Sequence, residues 1–415
     1  MQPGNIDSRR WRTLFPIFIT FVFDVFCILP LTSSVAQPRQ RLDESAVSRS
    51  QEPSKSPGTS SQSTPSAIQT RPEVQGKKKK HRGTFVAAPL PVSSPAIGSG
   101  IVPVLAYIFP IGVNDHISPP SVIGAAGLIT NNGTRGFAVG ANLYFKENTY
   151  QVEAGYAHGN VNYNLYGLGS GDNSGGRKLP LEQTGEAFRA EVLRSVGWKF
   201  FLGPRFFVGD SLITLRTSSV DNIAMPSDLG VHTSLRAVGV RLKRDTTINR
   251  FYPTEGTLVD ITSDFFSRAL GSKYSFQSYK ATFNKYTSLT KKQVLAFNAF
   301  ACVTGGSPPF YGNCIYGTNN QLRGYVAGRY FDRYMVETQL EYRLTLPKRF
   351  GVVGFGGIGE VIPGGNQIFR AEKFLPSVGA GLRFELSKAY HVNLRADLAQ
   401  GRDGHTFSMG IGEAF

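Results

Sequence analysis

The chain has 415 residues, 41% of them hydrophobic and only 18% charged, with a formal net charge of +16. No charge-free run is long enough for a bundle of membrane helices, and 46 glycines beside 30 phenylalanines and 17 tyrosines suit tightly turned, curved sheets better than helices. The basic excess is uneven, since residues 1–83 hold 13 Lys and Arg against 6 Asp and Glu.

Arg9, Arg10 and Arg12 precede an apolar stretch from Leu14 to Leu31, followed by Ser34-Val35-Ala36. A positive start, an apolar middle and small residues at the end mark a secretory signal, so residues 1–36 are expected to be a signal peptide cut after Ala36. The alternative is an uncleaved anchor, weakened by Pro16, Asp24 and Pro30. Residues 37–83 are rich in Ser, Pro, Gln and Lys and nearly lack large apolar side chains. Such a segment cannot offset its ordering entropy and reads as a disordered linker. Its run Lys77–Lys80 has no aromatic or Arg-rich platform beside it, so it reads as a solvated basic tail near a membrane, with no nucleic acid bound.

Residues 84–415 read as one all-β domain. About fifteen strand-like segments follow Gly98, many of ten or more residues, whereas soluble strands average five or six. In Tyr334–Leu346 the residues Val336, Thr338, Leu340, Tyr342 and Leu344 alternate with Glu337, Gln339, Glu341 and Arg343. In Pro376–Leu386, Val378, Leu382 and Phe384 oppose Ser377, Arg383 and Glu385; in His391–Ala399, Val392, Leu394 and Leu398 oppose Asn393, Arg395 and Asp397. Long strands with charge on one face fit a transmembrane antiparallel β-barrel, with a polar lumen and a lipid-facing exterior. The sheet must close, because hydrocarbon satisfies no backbone group. Both ends on one side require an even count. A further strand within Thr84–Pro95 makes sixteen; fourteen is the fallback.

Short turns at Pro347–Arg349, Ser387–Ala389 and Gly203–Pro204 are expected on the periplasmic side, and long loops at 167–182, 306–332 and 363–374 outside. Cys27 would leave with the leader, so Cys302 and Cys314, which bracket the start of the second long loop, are expected to form a disulfide; two free buried thiols are the alternative. The final segment, His405–Phe415, places Phe407, Met409, Ile411 and Phe415 on one face, like the C-terminal signal of outer-membrane proteins, with Glu413 out of place there. The six histidines show no metal-ligand spacing, no G-x-S-x-G occurs, and Gly354-Phe355-Gly356-Gly357-Ile358-Gly359 lacks the following helix that a dinucleotide site needs. No cofactor, metal or catalytic site is expected.

Three motifs carry a family likeness. Leu322-Arg323-Gly324-Tyr325 is followed by Gly328-Arg329-Tyr330 and Glu341-Tyr342-Arg343; Arg244-Asp245 is followed by Pro253-Thr254-Glu255-Gly256; and Phe355 is followed by Gly359 and Val361. These resemble the loop, periplasmic-turn and late-strand motifs of the BamA/TamA-type bacterial surface antigens. The resemblance implies a sixteen-stranded outer-membrane barrel that inserts or translocates other proteins, with outer-membrane lipid and unfolded outer-membrane or exported proteins as partners. It implies a long extracellular loop folded into the lumen, its Arg323 paired with Glu341. The family's second acidic position falls on Gly357, and Glu360 lies on the opposite face by alternation, so half of that clamp is expected to be missing. Relatives with this task carry N-terminal periplasmic modules, for which residues 37–83 leave no room. A passive channel or structural barrel is the rival reading, and an outer-membrane enzyme a further one.

Overall fold

The structure is a computed structural model that describes residues 83–94, 98–112, 115, 117–168, 177–216, 230, 232–248, 251–317, 322–325, 329–362, 374–388 and 391–415. The expected signal peptide and the linker up to residue 82 lie outside the described residues. The strands are β1 (Thr84–Ser94), β2 (Gly98–Phe109), β3 (Ser121–Thr130), β4 (Arg135–Phe145), β5 (Tyr150–Leu168), β6 (Arg177–Gly197), β7 (Phe200–Leu215), β8 (His232–Asp245) and β9 (Gly256–Phe266). They continue with β10 (Phe276–Thr290), β11 (Gln293–Gly306), the short β12 (Cys314–Ile315) and β13 (Phe331–Asp332), β14 (Tyr334–Thr345), β15 (Phe350–Ile362), β16 (Leu375–Ser387), β17 (Val392–Gly401) and β18 (Gly404–Ile411). Sixteen of them form one antiparallel sheet in chain order, while β12 and β13 pair with each other inside the loop between β11 and β14. The strand in Thr84–Pro95 is therefore present, and the barrel has sixteen strands. No helix among the described residues is long and apolar enough to cross a membrane; the chain crosses with strands.

Alternation holds along the strands. On β14, Glu337, Gln339, Glu341 and Arg343 are buried in the lumen while Leu340 and Tyr342 are exposed on the outer face. Leu382 and Leu398 face outward next to buried Arg383 and Asp397. The physical cause is the period of two, which sends successive side chains to lipid and lumen in turn.

Two expected connections are corrected. Gly203–Pro204 is not a turn: it lies inside β7, and the chain reverses at Trp198–Lys199, whose φ angles are 48° and 62°. Tight hairpins need this left-handed pair, and the β6–β7 ladder has no pairs at Gly203 and Pro204, so the missing proline N–H is tolerated. The expected loop 167–182 is strand at both ends, because β5 and β6 run for 19 and 21 residues and take in residues 167–168 and 177–182, while residues 169–176 lie outside the described residues. Their outward-facing His158, Asn160, Glu182 and Glu186 are polar and interact with one another, so this hairpin rises beyond the apolar belt. The chain turns at Pro347–Arg349 as expected, with Lys348 and Arg349 in the left-handed region at φ of 61° and 76°, and β16 runs on through Ser387 before its turn.

The closure is also corrected. Among the described residues, no ladder joins β1 to β18. Instead Val86, Leu90 and Val104, on the inner face of the first strands, pack with Val392, Leu394 and Ile411 from the outer face of the last ones, so the sheet overlaps itself. Proline explains this. Pro89 stands opposite Pro103 in the β1–β2 register, and two residues without N–H cannot form a hydrogen-bonded pair. Pro89 and Pro91 therefore turn their backbone to the free edge of β1, which lacks two donors where β18 would pair.

Candidate functional site

The loop after β11 is built to enter the lumen. A disulfide joins Cys302 to Cys314, fixing its start. Leu322, Tyr316 and Tyr325 are buried with Cys302, Met335 and Leu375, and Tyr316, Tyr325 and Tyr330 meet edge to face. This apolar cluster anchors the loop. The Tyr325 hydroxyl donates to the Pro376 carbonyl at 2.6 Å, and the Ser377 hydroxyl donates to the Arg323 carbonyl.

Between these anchors Arg323 projects into the barrel and is 5% exposed. Its Nη2 pairs with Glu341 Oε2 of β14, and its Nη1 with Asp397 Oδ2 of β17 at 2.7 Å. Its guanidinium lies over the Phe355 ring of β15, 3.4 Å from the centroid. Burying an unpaired charge costs several kcal/mol. Two carboxylates and an aromatic face offset that cost, and the planar fork of arginine reaches all three.

The second carboxylate corrects the expectation of a half-missing clamp. Asp397, on the strand after next, takes the place left open by Gly357. Glu360 does not substitute: across the ladder it faces Val336, on the outer side of β14. Gly357 has its own reason. A Cβ there would lie 2.4 Å from Leu322 Cδ1 and 2.5 Å from the Thr338 carbonyl oxygen, and one on Gly359 would lie 2.4 Å from the Tyr316 hydroxyl. The glycines of β15 let the loop lie against the strand. The alternation of β17 already put Asp397 in the lumen; its height beside Arg323 is what a single sequence does not carry.

The clamp continues toward the periplasmic end. Glu341 Oε1 accepts from Arg343 Nε at 2.6 Å, and Asp397 Oδ1 from Arg383 Nη1 at 2.6 Å. Arg383 Nε donates to Glu413 Oε2 at 2.6 Å, and Arg395 lies 3.8 Å from Asp397. Arg343 Nη1 donates to the Pro253 carbonyl at 3.2 Å, so the β8–β9 turn motif and the loop motif meet at this side chain. The rest of that turn motif stays apart from the clamp. Asp245 accepts from the Thr247 N–H and hydroxyl, Arg244 lies over the Phe200 ring, and Gly256, with φ of +106°, opens β9.

Phe415 is corrected too. The strand ends at Ile411, Gly412 adopts φ of +85°, and the segment Gly412–Phe415 turns into the lumen. Phe415 is buried with Tyr286 and Ala296, not aligned with Phe407 on the outside. Glu413 is in place after all, because the turn points it inward to Arg383 and Asn393.

A second lumenal network was not foreseen. On β5–β9, Arg241 holds Asp260 and Glu191, Arg189 holds Glu153, and Arg205 lies 3.3 Å from Asp264. These charges alternate inward on their strands, and a tally of inward charges along β5–β9 would have found them.

The Omp85 superfamily domain matches residues 128–415, well over half of the chain. The chain belongs to the Omp85 superfamily. The resemblance read from the three motifs therefore holds at family level, and the barrel is an outer-membrane barrel of the Omp85 type. Among solved structures it is similar to BamA from Haemophilus ducreyi lacking POTRA domains 1-3, with 13% identity and a TM-score of 0.51 over 80% of this chain and 70% of that one. CdiB from Acinetobacter baumannii is 13% identical with a TM-score of 0.50, covering 79% of this chain and 59% of that one. CdiB from Escherichia coli is 11% identical with a TM-score of 0.53, covering 79% and 61%. At these identities the likeness is one of fold, and the chain spans less than two thirds of either CdiB chain. No curated protein matches the sequence.

Proposed function

We propose that this Omp85 barrel assists the insertion or translocation of other polypeptides at the outer membrane, without enzymatic chemistry of its own. The observation that carries the reading is the seam. Every other neighbouring strand pair of the sheet is laddered, but among the described residues no ladder joins β1 to β18, and apolar side chains of the first and last strands pack together there. Such a contact parts without breaking buried hydrogen bonds, so a polypeptide has a way between lumen and lipid. The clamped loop supports the same reading, because it places a packed ion network inside the lumen where a passive channel needs open water. In this reading residues 1–36 direct export, residues 37–83 are a tether, and residues 84–415 form the working barrel, with unfolded outer-membrane or exported proteins as clients.

Depletion of the protein in its own cell tests this. Loss of other outer-membrane or exported proteins from the cell envelope is the expected result. An unchanged protein profile with altered solute leakage would favour a passive channel instead.

A further inference from the structure

Two chains of ion pairs and hydrogen bonds run from the inserted loop to the far end of the lumen. In one, Arg323 pairs with Glu341, Glu341 with Arg343, and Arg343 Nη2 donates to the Phe415 carbonyl at 2.8 Å. In the other, Arg323 pairs with Asp397, Asp397 with Arg383, and Arg383 with Glu413. Both begin at one guanidinium in the loop and end in the segment Gly412–Phe415.

That segment is built as a seated piece. Gly412 N–H donates to the Asn393 carbonyl at 2.7 Å, and Asn393 Nδ2 donates to Glu413 Oε1 at 2.8 Å. Glu413 is 3% exposed. Ala414 and Phe415 then cross from β18 to pack with Tyr286 of β10 and Ala296 of β11. The segment thus bridges the periplasmic end of the barrel, while the loop reaches into the lumen from the other side through Arg323.

We infer that Gly412–Phe415 is a periplasmic latch whose seating depends on that of the Arg323 loop, and the reverse. The physical ground is charge pairing in a buried site. If Arg323 leaves, Glu341 and Asp397 lose a cation, and Arg343 and Arg383 swing toward them and release Phe415 and Glu413. If the segment leaves, Arg343 and Arg383 compete with Arg323 for the same two carboxylates. Coupling of this kind is reciprocal by thermodynamic necessity. It goes beyond the polypeptide-handling role, since it holds whether or not a client ever enters the barrel.

The test uses the full chain in detergent micelles, with Cys27→Ser so that Ala414→Cys supplies the one free thiol beside the Cys302–Cys314 disulfide. The rate of maleimide labelling at position 414 reports release of the segment. Arg323→Ala, which does not touch residue 414, should raise that rate by about tenfold, as loss of a charged hydrogen bond implies. Arg241→Ala, in the separate β5–β9 network, should leave it unchanged. An unchanged rate in Arg323→Ala, or an equal rise in Arg241→Ala, would overturn the coupling. Should Arg323→Ala not fold, the reverse direction stands alone. Glu413→Gln should then speed tryptic cleavage after Arg323, and no change in that cleavage overturns the inference equally.

Discussion

Arg323 and Asp397 stand 74 residues apart in the chain and meet at 2.7 Å inside the barrel. The contact ties a loop that descends from the extracellular side to the penultimate barrel strand. With Glu341 on β14 it places one guanidinium between two walls of the lumen, so the loop cannot leave without stripping both carboxylates.

Removal of that guanidinium should therefore be costly. Arg323→Ala is expected to destabilise the folded barrel by roughly 3–5 kcal/mol, the usual cost of breaking a buried pair. In an Asp397→Asn background the same change should cost at least about 1 kcal/mol less, since the partners are coupled. Denaturant titration of all four proteins in micelles measures this, and strictly additive losses would refute the pairing. Arg323→Lys should recover little, because a point charge cannot reach both carboxylates and stack on Phe355.

Gly357→Asp restores the carboxylate that the family motif places on β15, yet it should weaken the clamp. The new Cβ would meet Leu322 and the Thr338 carbonyl. Overpacking of this kind costs about 1–3 kcal/mol. Faster tryptic cleavage in the loop is the expected readout; a loop held more tightly than in the parent would show that the carboxylate outweighs the collision.

The disulfide closes a loop with a sequence separation of 12. Cys302→Ala with Cys314→Ala should lower stability by about 3 kcal/mol in the chain-entropy model. The oxidised barrel region should offer no alkylatable thiol, and its gel mobility should shift on reduction. Two thiols reactive without reductant would contradict the bond.

Pro89 and Pro91 leave the free edge of β1 short of two donors. Replacing both by Ala supplies those donors without lengthening a side chain on the lipid side. Amide hydrogen exchange along β18 should then slow by about tenfold, given a gain of about 1 kcal/mol or more per new hydrogen bond. Unaltered exchange would mean that something other than missing donors keeps the seam unladdered.

The barrel itself was legible in the residues. Strands such as β14, β16 and β17 must alternate lipid and lumen side chains, and that period shows in any one of them. Counting was harder where local chemistry misleads. Gly203-Pro204 has the composition of a turn, but inside β7 the neighbouring ladder supplies the gap that proline needs. The true turn has Trp198 and Lys199 at its two central positions, with Gly197 (φ 98°) before them as its one turn residue.

What alternation determines is the face on which a residue lies, because that depends only on whether its position is odd or even. It put Glu341, Arg383 and Asp397 in the lumen and the loop motif named Arg323, all from sequence. Which of them touch depends on strand stagger, on the height of each residue across a curved wall, and on how far the sheet overlaps itself. Those are set by sixteen registers at once, so Asp397 as second partner, the inward turn at Gly412 and the open seam were decided by the tertiary structure alone.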